Sequence, residues 1–120
     1  MAAAFDVRGL NPLLDALSQA DRESLLDAAA QGMQEGLEAI AREARAICPR
    51  DTGALAASIG IRLNRADGQL SGEVFASASH AVPVEMGTQT QPARPFLYPA
   101  FKAGEQQIVQ AVAKTILEWM

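Results

Sequence analysis

The sequence predicts an α+β fold in which two long helices pack against one face of a small antiparallel β-sheet, with a long ordered proline-rich loop. Apolar residues recur at helical spacing in two stretches, one before Pro49 and one after Pro99. Between them, apolar and polar residues alternate along two short segments, as in half-buried strands. The order helix, hairpin, loop, helix is typical of an α+β domain. With 120 residues, 49% of them hydrophobic and 20% charged, the chain fits one globular domain spanning residues 1–120.

The first long helix is predicted from Asp21, its expected N-cap, to Pro49, which ends it. A shorter helix is expected before it, begun by Asn11-Pro12. Gly32 and Gly36 weaken a helix by roughly 1 kcal/mol each relative to alanine. Either they are simply tolerated or they let another backbone approach closely. The apolar positions of the long helix, spaced by three or four, are Leu26, Ala29, Met33, Leu37, Ile40, Ala44 and Ile47.

Strands are predicted in two parts of the chain. Residues 5–7 form a short strand, and residues 59–64 alternate apolar and polar side chains. Asp67-Gly68 is a tight-turn signal, and residues 70–77 supply the return strand of a β-hairpin. Val74 and Ala76 should share one face of that strand. Because an isolated hairpin is marginally stable, it must pack on a helix. Both of its edges are candidates for pairing with a neighbouring subunit.

Residues 80–101 are the most informative part of the chain. Four prolines and a glycine prevent one regular helix or strand, yet the segment carries more apolar side chains than a flexible linker would. We therefore expect an ordered loop that presents a surface. Gly87 in this loop and Gly53 before the hairpin should lie at positive φ or where another backbone comes close. The helix after Pro99 has the apolar stripe Phe101, Ile108, Val112, Ile116 and Trp119.

Composition excludes several classes of function. A net charge of −4 and a pI near 4.9 argue against a free, sequence-specific nucleic-acid-binding domain. No apolar stretch approaches the roughly 20 residues that cross a bilayer, so no membrane span is expected. Cys48 is the only cysteine, which rules out an intramolecular disulfide and suits a small buried group at a helix end. His80 and Glu85 form no ligand cluster, so neither a metal nor another cofactor is expected.

Asp51-Thr52-Gly53 matches the active-site signature of retroviral-type aspartic proteases, homodimers in which two such aspartates share one proton. That signature requires an apolar strand leading into the aspartate, whereas here the lead-in is the end of a helix. The alternative interpretation is structural: Asp51 or Thr52 accepts hydrogen bonds from nearby backbone amides, and Gly53 makes the turn. The protease remains the alternative from another functional class, and a small cytosolic adaptor is a third possibility.

Two segments, ICPRDTGALAASI and HAVPVEMGTQTQPARPFLYPAF, together resemble the small tail-component family of lambda-like siphophages, also known as tail-completion or head–tail joining proteins. His80, Met86 and Tyr98 depart from that pattern, which has tyrosine, phenylalanine and arginine at these positions. The glycine and proline framework is retained. The matching positions are Pro49, Asp51, Thr52, Gly53, Leu55, Ser58, Ile59, Ala81, Val84, Glu85, Gly87, Thr88, Ala93, Pro95, Phe96, Leu97, Pro99 and Ala100.

The resemblance implies a non-enzymatic structural protein of the phage virion, made in the bacterial host cytoplasm and acting at the tail or neck. It implies assembly into a ring, from a monomer or loose oligomer, with other tail or connector proteins as partners. Phe96, Leu97 and Tyr98 would anchor neighbouring subunits. For Phe96 we favour the alternative that it fixes the loop to its own domain. The residues expected to serve the family motif or assembly are Asp51, Thr52, Gly53, Glu85, Gly87, Thr88, Pro95, Phe96, Leu97 and Pro99.

Overall fold

The computed structural model describes residues 1–7, 15–49, 53–66 and 69–120, and within them long helices pack on a three-stranded antiparallel sheet. The α+β prediction is therefore confirmed. The predicted start of the short helix at Asn11-Pro12 and the turn at Asp67-Gly68 lie outside the described residues. The elements, in chain order, are β1 (Ala2–Val7), α1 (Gln19–Ile47), α2 (Ala54–Ala57), β2 (Ile59–Ala66), β3 (Gln69–Ala76), α3 (Ala81–Met86) and α4 (Leu97–Trp119).

The central strand of the sheet is β3, because the strand order is β1-β3-β2. The predicted hairpin is confirmed, with Ile61 opposite Val74 in the β2–β3 register. The first strand is longer than predicted: it begins at Ala2, which lies opposite Phe75. The expectation that both hairpin edges face a neighbour is therefore half wrong, since β1 occupies the β3 edge within the chain. The outer edges of the described sheet belong to β1 and β2.

The inner face of the sheet forms one wall of the core. Leu70, Val74 and Ala76 are each at most 1% exposed, which confirms the predicted inward face of β3. They share a single apolar cluster with buried residues of α1 and α4. Alternation along β3 thus places every second side chain against the helices.

Close backbone contact explains the glycines of the first long helix. A Cβ on Gly36 would lie 2.9 Å from Cα of Ile108, and one on Gly32 would lie 2.6 Å from the Ala111 carbonyl oxygen. Both distances are shorter than ordinary carbon contacts. Of the two alternatives for these glycines, close approach is correct: α1 and α4 run antiparallel and nearly touch along this line.

The start of α1 corrects one prediction. The N-cap is Ser18, not Asp21: the Ser18 hydroxyl accepts a hydrogen bond from the Asp21 amide at 3.2 Å. Ser18 has the extended backbone of an N-cap, with φ −64° and ψ 164°. Asp21 instead lies in the first turn, where a carboxylate interacts favourably with the helix dipole. The predicted end is confirmed, since the helix stops at Ile47, just before Pro49.

The domain is elongated, measuring 57 × 23 × 19 Å along its principal axes. Its radius of gyration is 16.6 Å, above the roughly 14 Å typical of a compact chain of this length. The first turns of α1 and the last turns of α4 have a small apolar cluster of their own, built on Leu25 and Leu26. There the Trp119 indole donates to the Ser24 hydroxyl at 2.7 Å. Among the described residues, no helix is long and apolar enough to span a bilayer.

Candidate assembly site

Part of the predicted proline-rich loop is helical. Residues 81–86 form α3, and Pro83 occupies its third position. Proline is accepted there because the first amides of a helix have no intrahelical partner. The same reasoning applies to Pro99, the third residue of α4, so that helix begins at Leu97, two residues before Pro99, and not after Pro99 as predicted. The loop proper is therefore shorter and runs over residues 87–96.

Glu85 joins α3 to the start of α4. Its side chain is buried, and its Oε1 accepts hydrogen bonds from the amides of Phe96 at 3.2 Å and Leu97 at 2.8 Å. The residue at the N-cap position, Phe96, provides no side-chain cap. Glu85 therefore caps α4 from another helix, and its acidic side chain also lies at the positive end of the α4 dipole.

Gly87 turns the chain back toward this cap. Its φ of 82° and ψ of 170° fall in a region that is essentially restricted to glycine. A Cβ there would also lie 2.7 Å from the Ala93 amide nitrogen. The returning segment of the loop is held by the Arg94 backbone amide, which donates to the Val84 carbonyl at 2.8 Å. The prediction of positive φ and close approach is thus confirmed for Gly87.

Thr88 closes the loop at its outer end. Its amide donates to the Gln91 carbonyl at 2.9 Å, and its hydroxyl accepts from the Gln91 amide at 3.1 Å. These two hydrogen bonds satisfy backbone groups of the loop that would otherwise bond to water. Thr88 therefore shapes the loop through its own hydrogen bonds.

The two segments that carry the family resemblance are called the first motif segment, residues 47–59, and the second motif segment, residues 80–101. The first motif segment begins at the end of α1. Gly53 has φ 75° and precedes α2, which confirms its predicted positive φ. Cys48 is 4% exposed, as expected of a small buried group. Asp51 and Thr52 lie outside the described residues. The approach to them is the end of α1, so the strand that an aspartic protease requires before its aspartate is replaced by a helix.

The two motif segments meet around one open cavity of about 290 Å³. This volume lies just below the range for small-molecule sites. No cluster of metal-ligating side chains occurs among the described residues. Pro49 and Leu55 line it from the first segment, and His80, Pro83, Val84, Thr88, Gln91, Pro92 and Arg94 line it from the second.

The three predicted anchors divide between core and surface. Phe96 and Leu97 are 0% and 1% exposed and belong to the domain's own core, which supports the alternative favoured for Phe96. Tyr98 is 57% exposed and has Lys102 beside its ring, 5.7 Å from the ring centroid. Pro95 and Pro99 are exposed. Of the three predicted anchors, Tyr98 alone is exposed.

The function of Glu85 could not be found from local sequence. Its bonded amides lie 11 and 12 positions away, beyond any N-cap spacing. One signal was available: an acidic residue followed by a glycine turn and then by a helix start that lacks a serine, threonine, aspartate or asparagine cap. An uncapped helix start is a reason to look for a distant acceptor.

Comparison with known proteins identifies the family. No curated protein and no solved structure gives a significant match to the chain. The profile of the family described as "Bacteriophage HK97-gp10, putative tail-component" matches residues 11–87, well over half of the chain. The match spans the first motif segment, the hairpin and α3 up to the Gly87 turn. The chain belongs to this family of phage tail components.

Proposed function

We propose that this tail component completes the tail or joins it to the head, and that it does so by assembling into a ring. The observation that carries the proposal is the convergence of both motif segments at one end of an elongated domain. The shared cap and turn fix the backbone there, while Val82, Met86 and Tyr98 remain 52%, 72% and 57% exposed. A rigid surface with exposed apolar side chains suits contact with another protein.

The sheet supports self-association. Its outer strands β1 and β2 each have one side unpaired among the described residues. Unpaired strand edges favour pairing with another strand unless they are covered or blunted. Two different edges on one subunit allow head-to-tail contacts, which close into a ring when the rotation permits.

Deletion of the gene from the phage or prophage tests this function. We expect filled heads and separate tails that fail to join, with joining restored by the wild-type protein. Met86→Asp should complement poorly because it places a charge on the proposed contact surface. Val109→Asp is the matched control, since Val109 is 45% exposed on α4 outside the motif segments. Normal virions after deletion, or equal complementation by both variants, would contradict the proposal.

A further inference from the structure

The cavity between the motif segments has a lining suited to an apolar side chain with an acidic neighbour. Pro49, Leu55, Pro83 and Val84 supply apolar surface. Arg94 contributes a guanidinium, whose several donors can serve more than one acceptor. None of the described residues that line the cavity is acidic.

The end of the domain opposite the cavity carries exposed apolar side chains beside an acidic one. Leu117 on α4 is 69% exposed, and Met120, one turn later, is 81% exposed. Glu118 lies between them and is also exposed. One exposed leucine is ordinary on a protein surface. An exposed apolar pair with an adjacent carboxylate is complementary in both polarity and charge to the cavity.

We propose that Leu117 and Glu118 of one copy dock into the cavity of a second copy, with Leu117 against the apolar walls and Glu118 near Arg94. This deepens the proposed function, on which it rests, by naming a second pair of surfaces for the ring contact besides the strand edges. The occupant is a second copy because the same chain carries both complementary surfaces, with Glu118 at one end and Arg94 at the other.

Geometry prevents the contact from forming within one chain. The cavity adjoins the start of α4, and Leu117 lies 20 residues further along that helix, about 30 Å away. Each copy therefore has one end that inserts side chains, the last turns of α4, and one end that receives them, the cavity. Such a contact is heterologous, so it propagates from copy to copy and closes into a ring or extends as a filament.

Cross-linking distinguishes this contact from other modes of association. In a Cys48→Ala background, the double variant Gln91→Cys/Leu117→Cys carries one thiol at each surface. A short bismaleimide should then produce dimers, trimers and larger multiples. Each single variant should give no ladder, because its thiols lie at the same end of every copy. The control pair Gln91→Cys/Val109→Cys, which moves the second thiol two turns along α4, should also give no ladder.

The reaction is run on concentrated purified protein and on tails from the complemented phage. No ladder from the double variant in either preparation would overturn the proposal. Products that stop at dimers would overturn it in favour of an isologous contact. Cross-links to a different tail protein would also overturn it and would assign the cavity to that partner. Because joining of heads to tails is scored separately, a missing ladder with normal complementation removes this contact while the proposed function stands. A ladder together with normal virions after deletion of the gene removes the proposed function while the contact stands.

Discussion

The two long helices begin in different ways. α1 is capped by Ser18, whose hydroxyl binds an amide three residues later. α4 is capped by Glu85, which belongs to another helix and is separated from the capped amides by the Gly87 turn. The first cap can form wherever α1 forms, whereas the second requires α3, the turn and α4 to be in place together.

This difference assigns different roles to the two helix starts. Loss of a local cap frays one turn of one helix. Loss of the distant cap would release two buried amides and detach α3 from α4, and the second motif segment lines the cavity only while these remain together. The motif residues Glu85 and Gly87 therefore act by building the site. In the proposed assembly, contact with a neighbouring protein is made by exposed side chains such as Met86 and Tyr98.

The largest effect is expected where the chain turns back toward the distant cap. Gly87→Ala should lower the free energy of unfolding by about 4 kcal/mol, because it combines backbone strain with a clash against Ala93. Gly53→Ala is the matched control: its φ is also positive, but among the described residues, its chain neighbours apart, no heavy atom lies within 4 Å of the added Cβ. The control should cost only about 1 kcal/mol. Urea unfolding measures both, and equal losses would show that the Ala93 contact is unimportant.

Removing the distant cap itself should have the next largest effect. Glu85→Ala leaves the Phe96 and Leu97 amides without their acceptor in a buried site, at a cost of about 3 kcal/mol. Glu85→Gln retains a carbonyl oxygen and loses only the charge at the helix end, so it should cost about 1 kcal/mol. Thermal and urea unfolding of the pair give the comparison. If glutamine destabilises as much as alanine, capping by the oxygen is not the source of the stability.

Removing the local cap should have the smallest effect on stability of the three changes. Ser18→Ala should lower stability by about 1 kcal/mol, and Ser18→Asp should restore most of it. Complementation by Ser18→Ala should be normal, since α1 begins at the end of the domain away from the cavity. A joining defect in this variant at unchanged stability would place the start of α1 in the assembly surface.

The regular elements were predictable because their signals are local. The helical spacing of α1 and α4, and the alternation along β2 and β3, follow from side-chain periodicity, which the sequence contains directly. Close approach at Gly36 was one of two alternatives, since the choice depends on Ile108 of the other helix. The pairing of β1 with β3 depends on residues about 70 positions apart, so the sequence could not show which hairpin edge was taken.

The site could be predicted only in part, because some of its features have local signals and others depend on distant residues. Positive φ at Gly53 and Gly87 follows from the need for a turn, and both were predicted. The prediction does not include α3 because a proline such as Pro83 usually breaks a helix, although proline is compatible with a first helical turn. The cap by Glu85 and the burial of Leu97 depend on tertiary packing, which no short window of sequence contains.

Hydrogen exchange at single amides tests the central claim, that Glu85 holds the second motif segment to the start of α4. Glu85→Ala should accelerate exchange of the Phe96 and Leu97 amides strongly, and that of the Arg94 amide bonded to Val84 with them. Amides in the middle of α1 should exchange as in the wild type, after correction for the change in global stability. Ser18→Ala should leave the exchange rates of the Arg94, Phe96 and Leu97 amides unchanged. Wild-type protection of Phe96 and Leu97 in Glu85→Ala would contradict the account.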